Sequence, residues 1–163
     1  MQIYTQPYDI RVDSSRSFAL NCIRNYLGDD RDIEITAGEH GKPYVVGNYV
    51  HFSLSHSGDI IVCAVSDSPV GIDCECAERL ADHNMKRIAK RFFTPDEIAY
   101  FDNGGSESFA EKRFLEIWTK KEAYAKYTGR GFPDGFGDFS VIGVKFMQCD
   151  VGNGYVCYLY TGS

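Results

Sequence analysis

The sequence predicts an α+β protein of two lobes meeting near Val70, each lobe one or more helices packed on a small antiparallel sheet. Three observations lead there. Segments with helix-capping residues and an apolar side lie before and after a group of short runs rich in β-branched and aromatic residues. Turn-forming stretches, Ser55–Asp59 and Asp67–Pro69, separate those runs. No low-complexity tract or linker interrupts the 163 residues, which include 11 Phe, 11 Tyr and one Trp, enough bulk for a real core.

In chain order, Asp13-Ser14-Ser15 caps a helix running to about Leu27 and stopped by Gly28, with Phe18, Leu20, Cys22, Ile23, Tyr26 and Leu27 on its apolar side. A polar, acidic stretch follows, and Gly38 to Pro43 reads as a loop. Tyr49–Leu54, Ile60–Val65 and Val70–Cys74 read as strands, the middle one continuously apolar and therefore buried on both faces. A basic helix holds Met85 to Phe93. Thr94-Pro95-Asp96-Glu97 then carries the marks of a helix start, a hydroxyl cap with Pro in the first turn and Glu at the third position. Ser108-x-x-Glu111 opens a helix to about Tyr127, ended by Gly129. A Gly-rich loop to Gly137 precedes two closing strands, Phe139–Met147 and Tyr155–Tyr160.

The chain is acidic, net −6, which argues against a general nucleic-acid binder. Yet Lys86 to Arg130 hold ten basic against seven acidic residues, pointing to an anionic ligand or partner for this stretch. The first seven residues have no basic start and no apolar run, so no signal peptide is expected. No run is long enough for a membrane span. Without a secretion signal, the six cysteines are expected to be reduced thiols of a cytoplasmic protein.

Chemistry concentrates in three places. In Gly71-Ile72-Asp73-Cys74-Glu75 the two carboxylates share one strand face, and like charges so close are stable mainly with a cation between them. Alone, the pair also fits a solvated strand end. In Trp118-Thr119-Lys120-Lys121-Glu122-Ala123-Tyr124-Ala125-Lys126, Glu122 and Lys126 lie one helical turn apart. They read either as a surface ion pair or, with Trp118 covering that face, as a third carboxylate and a phosphate-binding ammonium. Three such carboxylates would make an all-oxygen site that suits Mg²⁺ better than zinc. Third come Gly41-Lys42-Pro43 and Phe52-Ser53-Leu54-Ser55-His56-Ser57. A Ser-His pair at a strand end can donate to a phosphate but is no Ser–His nucleophile, since strand neighbours point to opposite faces.

Taken in order, Gly41-Lys42-Pro43, Phe52-Ser53-Leu54-Ser55-His56-Ser57, Gly71-Ile72-Asp73-Cys74-Glu75, Arg91-Phe92-Phe93 and Trp118-x-x-Lys121-Glu122-Ala123-x-x-Lys126 resemble the 4'-phosphopantetheinyl transferases of the surfactin-synthetase-activating type. The resemblance covers about residues 13 to 145. It implies a single transferase domain over 1–163, a pseudo-dimer of similar lobes at about 1–70 and 71–163, with coenzyme A and Mg²⁺ (or Mn²⁺) between them. It also implies transfer of 4'-phosphopantetheine from coenzyme A to a serine of an acyl or peptidyl carrier protein, with no nucleic-acid or membrane partner. By position, Asp73, Glu75 and Glu122 would hold the metal, and Lys126 would stabilise the pyrophosphate. His56 with Ser55 would bind the 3'-phosphate, and Lys42 would lie beside the nucleotide. Glu122 or Glu97 would take the serine proton, Glu97 having a capping-box role as its alternative. The cluster Lys86, Arg87, Lys90 and Arg91 could dock an acidic carrier, or be simply the solvated side of an amphipathic helix. The chain departs from the family pattern in carrying only Arg11, Arg16 and Arg24 where the family usually has a longer basic stretch, and in having Cys74 where a large aliphatic is usual. A coenzyme A-binding module without catalysis, or a pyrophosphate hydrolase using the same ligands, are the other readings of these residues.

Overall fold

A computed structural model describes residues 1–80, 85–131 and 138–162. Its elements are β1 (Gln2–Pro7), α1 (Ser15–Leu27), β2 (Ile35–Ala37), β3 (Pro43–Val45), β4 (His51–Ser57), β5 (Ile60–Ser66), β6 (Gly71–Cys76), α2 (Met85–Phe92), α3 (Pro95–Phe101), α4 (Glu107–Thr128), β7 (Met147–Gln148) and β8 (Tyr155–Tyr160). Two three-stranded antiparallel sheets result, ordered β1-β5-β4 and β6-β8-β7, with β2 and β3 forming a separate hairpin. The first sheet draws only on residues before Gly71 and the second only on residues from Gly71 onward. The architecture is α+β, as expected.

In the first half, Ser14 caps α1 by accepting the Ser17 N–H, and Gly28 ends the helix in the left-handed conformation. The helix turns Phe18, Ala19, Cys22 and Ile23 onto the sheet. β5 serves two cores. Ile61, Cys63 and Val65 face α1, while Val62 and Ala64 pack with Val70, Ile72, Cys74, Cys157 and Leu159 of the second half. A continuously apolar strand is what such a double burial requires, and each fully buried Ile or Val contributes about 1.5–3 kcal/mol. In the second half, Phe93, Phe101, Phe114 and Ile117 join α2, α3 and α4 in a third cluster that includes Val141.

Several boundaries differ from expectation. β1 and the β2–β3 hairpin had no counterpart in the sequence reading; β1 is an exposed edge strand paired only with β5, so no strong apolar alternation marks it. β4 continues through Ser55, His56 and Ser57 to a turn confined to Gly58 and Asp59, where a turn over Ser55–Asp59 was expected. α4 starts at Glu107 behind Ser106 rather than at Ser108. The expected strand Phe139–Met147 is irregular, with ladder pairing only at Met147 and Gln148. There, buried side chains satisfy the backbone: Lys121 donates to the Phe139 carbonyl and Glu97 accepts the Val141 N–H. Residues 132–137 of the Gly-rich stretch lie outside the described residues. All six cysteines are free thiols, and no helix among the described residues is long and apolar enough to cross a membrane.

Candidate active site at the junction of the two halves

Helix α4 lies on strand β6 at unusually close range because Gly71 has no side chain. A Cβ there would sit 2.0 Å from the Ala123 carbonyl oxygen and 2.4 Å from the Tyr127 nitrogen. This approach sets Glu122 and Lys126, one turn apart on α4, against the carboxylates of Asp73 and Glu75. The Lys126 ammonium donates to Asp73 Oδ1 at 2.6 Å, and Asp73 is only 4% exposed. Asp73 Oδ1 also accepts the Ser55 hydroxyl at 2.8 Å. Glu75 is held from two sides, by Ser57 Oγ at 3.1 Å and by Trp118 Nε1 at 3.2 Å. Burial, with the neighbouring Asp73 charge adding to it, pushes the Glu75 carboxyl up. The same two causes, in the same order, push Glu122 up to about 8, with Lys126 opposing them.

Negative charge thus exceeds positive charge in a poorly hydrated corner. Asp73 Oδ2 is buried without a hydrogen-bond partner, and among the described residues nothing hydrogen-bonds the Glu122 carboxylate. Among those residues no three His, Cys, Asp or Glu side chains are already drawn into a metal-ligating cluster. Lys126 instead supplies the positive charge at Asp73. The orphaned oxygen and the all-oxygen donor set suit a hard divalent cation.

Beside this corner a cavity of about 270 Å³ opens between the halves, lined by Lys42, Pro43, Phe52 and Leu54 from one and by Glu122 and Lys126 from the other. Lys42 is half-buried in its wall and donates to the Val70 and Tyr127 carbonyls at 3.3 and 3.2 Å, tying the β2–β3 hairpin to the C-terminal turn of α4. Desolvation lowers its pKa to about 8.

The structure brings together Asp73, Glu75, Glu122, Lys126 and Lys42 but separates two expected groupings. Ser55 and His56 point to opposite faces of β4, so they do not form one anion site. Ser55 is 7% exposed and its hydroxyl is engaged by Asp73 and the Cys74 N–H, whereas His56 is exposed against Tyr8 at a ring distance of 5.3 Å. His56 lines a second hollow of about 340 Å³ with Arg11 and Asp59. Glu97 is fully buried in a structural ion pair. Its carboxylate accepts from Lys121 Nζ at 2.7 and 3.0 Å, from the Thr94 N–H and from the Val141 N–H, so the capping-box role is realised and no lone pair is directed at the acidic corner. Lys121, next to Glu122 in the motif, is a partner of that pair. Ser57, which holds Glu75, is not among the expected site residues. The period-two repeat Ser53, Ser55, Ser57 was the signal for it.

A family model described as the 4'-phosphopantetheinyl transferase superfamily matches residues 69–159. The chain belongs to that superfamily. Its relatives include the 4'-phosphopantetheinyl transferase gsp of Aneurinibacillus migulanus, 38% identical over 114 residues, covering 67% of this chain and 46% of gsp. A 4'-phosphopantetheinyl transferase of Bacillus subtilis is 36% identical over 133 residues, covering 81% of this chain and 54% of that protein. Psf-1 of Bacillus pumilus, a 4'-phosphopantetheinyl transferase, is 41% identical over 103 residues, covering 62% of this chain and 42% of psf-1. The chain spans about half the length of the curated relatives it matches.

Proposed function

We propose that this chain transfers 4'-phosphopantetheine from coenzyme A to a serine of an acyl or peptidyl carrier protein. The observation that carries the reading is the convergence of Asp73, Glu75, Glu122 and Lys126 beside a cavity shared by both halves. The halves 1–70 and 71–163 act as one transferase domain of two related lobes, with coenzyme A between them. Asp73, Glu75 and Glu122 would hold Mg²⁺, or Mn²⁺ in its place, which supplies neutralisation of pyrophosphate charge.

The serine oxygen bonds to the phosphorus on the pantetheine side of the pyrophosphate. The bond from that phosphorus to the bridging oxygen breaks, and adenosine 3',5'-bisphosphate leaves. Phosphoryl-type transfer depends mostly on positioning and charge, and Lys126 lines the cavity as a point charge for the pyrophosphate. Glu122 accepts the serine proton. The alternative, Glu97, has its carboxylate occupied by Lys121 and two backbone N–H groups. Lys42 borders the nucleotide from the cavity wall, and His56 with Arg11 meets the 3'-phosphate in the second hollow. The exposed Lys86, Arg87, Lys90 and Arg91 on α2 steer an acidic carrier toward the site.

Intact-mass spectrometry of apo carrier proteins incubated with the chain, coenzyme A and Mg²⁺ tests this. A gain of one phosphopantetheine is expected. Absence of any gain across fatty-acid, polyketide and peptide carriers sinks the reading. Glu122→Gln should abolish the gain while leaving the thermal melt in place.

A further inference from the structure

The two sheets meet along their edge strands β4 and β6, and side chains rather than a backbone ladder make the join. Ser53, Ser55 and Ser57 accept hydrogen bonds from the N–H groups of Ile72, Cys74 and Cys76 at 3.1, 3.2 and 2.9 Å. The separation is 19 residues in every case, so the strands run parallel at a fixed offset and each serine hydroxyl replaces a strand carbonyl. A hydroxyl has one proton to give besides its lone pairs. Ser55 gives it to Asp73 at 2.8 Å and Ser57 gives it to Glu75 at 3.1 Å. Ser53 lines the cavity that Glu122 also borders, but its hydroxyl donates to no carboxylate and to nothing else among the described residues. All three are at most 7% exposed, which leaves water little room to substitute.

We propose that Ser55 and Ser57 are positioning residues that fix the orientation of the Asp73 and Glu75 carboxylates and link it to the spacing of the two halves. The proposal rests on the reading that this acidic pair holds a divalent cation. One oxygen atom performs both tasks at each position. A change in the β4–β6 spacing therefore turns the carboxylate, and a carboxylate drawn toward a cation pulls on the seam. Hydrogen-bonded partners of metal-ligating carboxylates set ligand orientation, and removing one typically weakens metal binding about 10–100-fold.

Ser53 provides the internal control, because Ser53→Ala removes a seam bond and no carboxylate bond. Mn²⁺ is titrated into the full chain without coenzyme A, free Mn²⁺ is read by electron paramagnetic resonance, and each variant is melted alongside. Ser55→Ala and Ser57→Ala should each weaken Mn²⁺ binding about 10–100-fold. Ser53→Ala should lower the melting temperature comparably but hold Mn²⁺ as the unsubstituted chain does. Ser55→Thr keeps the hydroxyl and should restore affinity. Should Ser55→Ala fail to fold, the Ser57→Ala and Ser53→Ala pair decides alone. Equal affinities for all variants, an equal loss in Ser53→Ala, or no Mn²⁺ binding by the unsubstituted chain overturns the proposal. Carrier loading by the unsubstituted chain is a separate readout. Graded Mn²⁺ affinities without loading would fail the transferase reading alone, and loading with ungraded affinities would fail this one alone.

Discussion

Replacing Gly71 by Ala tests how the acidic corner is assembled. The added Cβ would lie 2.0 Å from the Ala123 oxygen, 2.4 Å from the Tyr127 nitrogen and 2.9 Å from the Tyr127 Cα, all backbone atoms of α4 that no side-chain rotation can move. Ordinary contact begins near 3.5 Å, so α4 must rise from β6 by about 1.5 Å. Gly71 has no positive φ, which makes the penalty purely one of space. Overpacking of this kind costs about 1–3 kcal/mol, a fall in melting temperature of roughly 2–12 °C for a chain of this size. The larger effect is on chemistry. The same shift stretches the 2.6 Å bond between Lys126 and Asp73 beyond hydrogen-bonding range and carries Glu122 away from β6. A displacement of about 1 Å can lower turnover by 10²-fold. Calorimetric melting and intact-mass loading of a carrier, run on the same preparation, read both effects. A Gly71→Ala protein that melts and loads like the parent would refute the claim that this contact sets the site.

Three further outcomes follow from the geometry. Lys121→Met leaves the fully buried Glu97 without its cation and should cost about 3–5 kcal/mol in urea unfolding, with part of the loss recovered by adding Glu97→Gln. Trp118→Phe removes the indole donor to Glu75 and should cut loading about tenfold while shifting the melting temperature by less than about 4 °C. Lys42 gives a pH prediction: burial lowers its pKa from 10.5 to about 8, so between those values the unfolded chain binds more protons than the folded one. Stability therefore rises with pH across that window, by on the order of 2 kcal/mol once solvent screening of a half-buried ammonium is discounted. Denaturation curves of the parent and Lys42→Met should differ by a margin that changes by this amount from pH 8 to 10.5, and a constant margin would contradict the desolvation.

The candidate-site residues were more legible in the sequence than the elements carrying them. Asp73 and Glu75 two apart on a strand, and Glu122 and Lys126 four apart on a helix, are periodicities that survive errors of a residue or two in boundaries. β4 was cut short because Ser-His-Ser-Gly has the composition of a turn. Its serines remain in the strand because Ser55, His56 and Ser57 stay in register with Val62, Ile61 and Ile60 of β5, and β6 then takes the serine hydroxyls as acceptors. The segment after Phe139 has the residues of a strand, yet Phe139 stacks on Tyr124 at 3.5 Å and its neighbourhood is fastened by Glu97 and Lys121. Propensity records neither requirement. The opposite assignments of Ser55 and His56 were implicit in strand alternation, but the resemblance to a family motif drew them into one site.

β5 carries a cost for any attempt to divide this molecule. Because Val62 and Ala64 belong to the hydrophobic cluster of the other half, a fragment ending near Val70 would display an apolar strand face to solvent and self-associate. Unfolding of one half should therefore take the other with it as a single cooperative event.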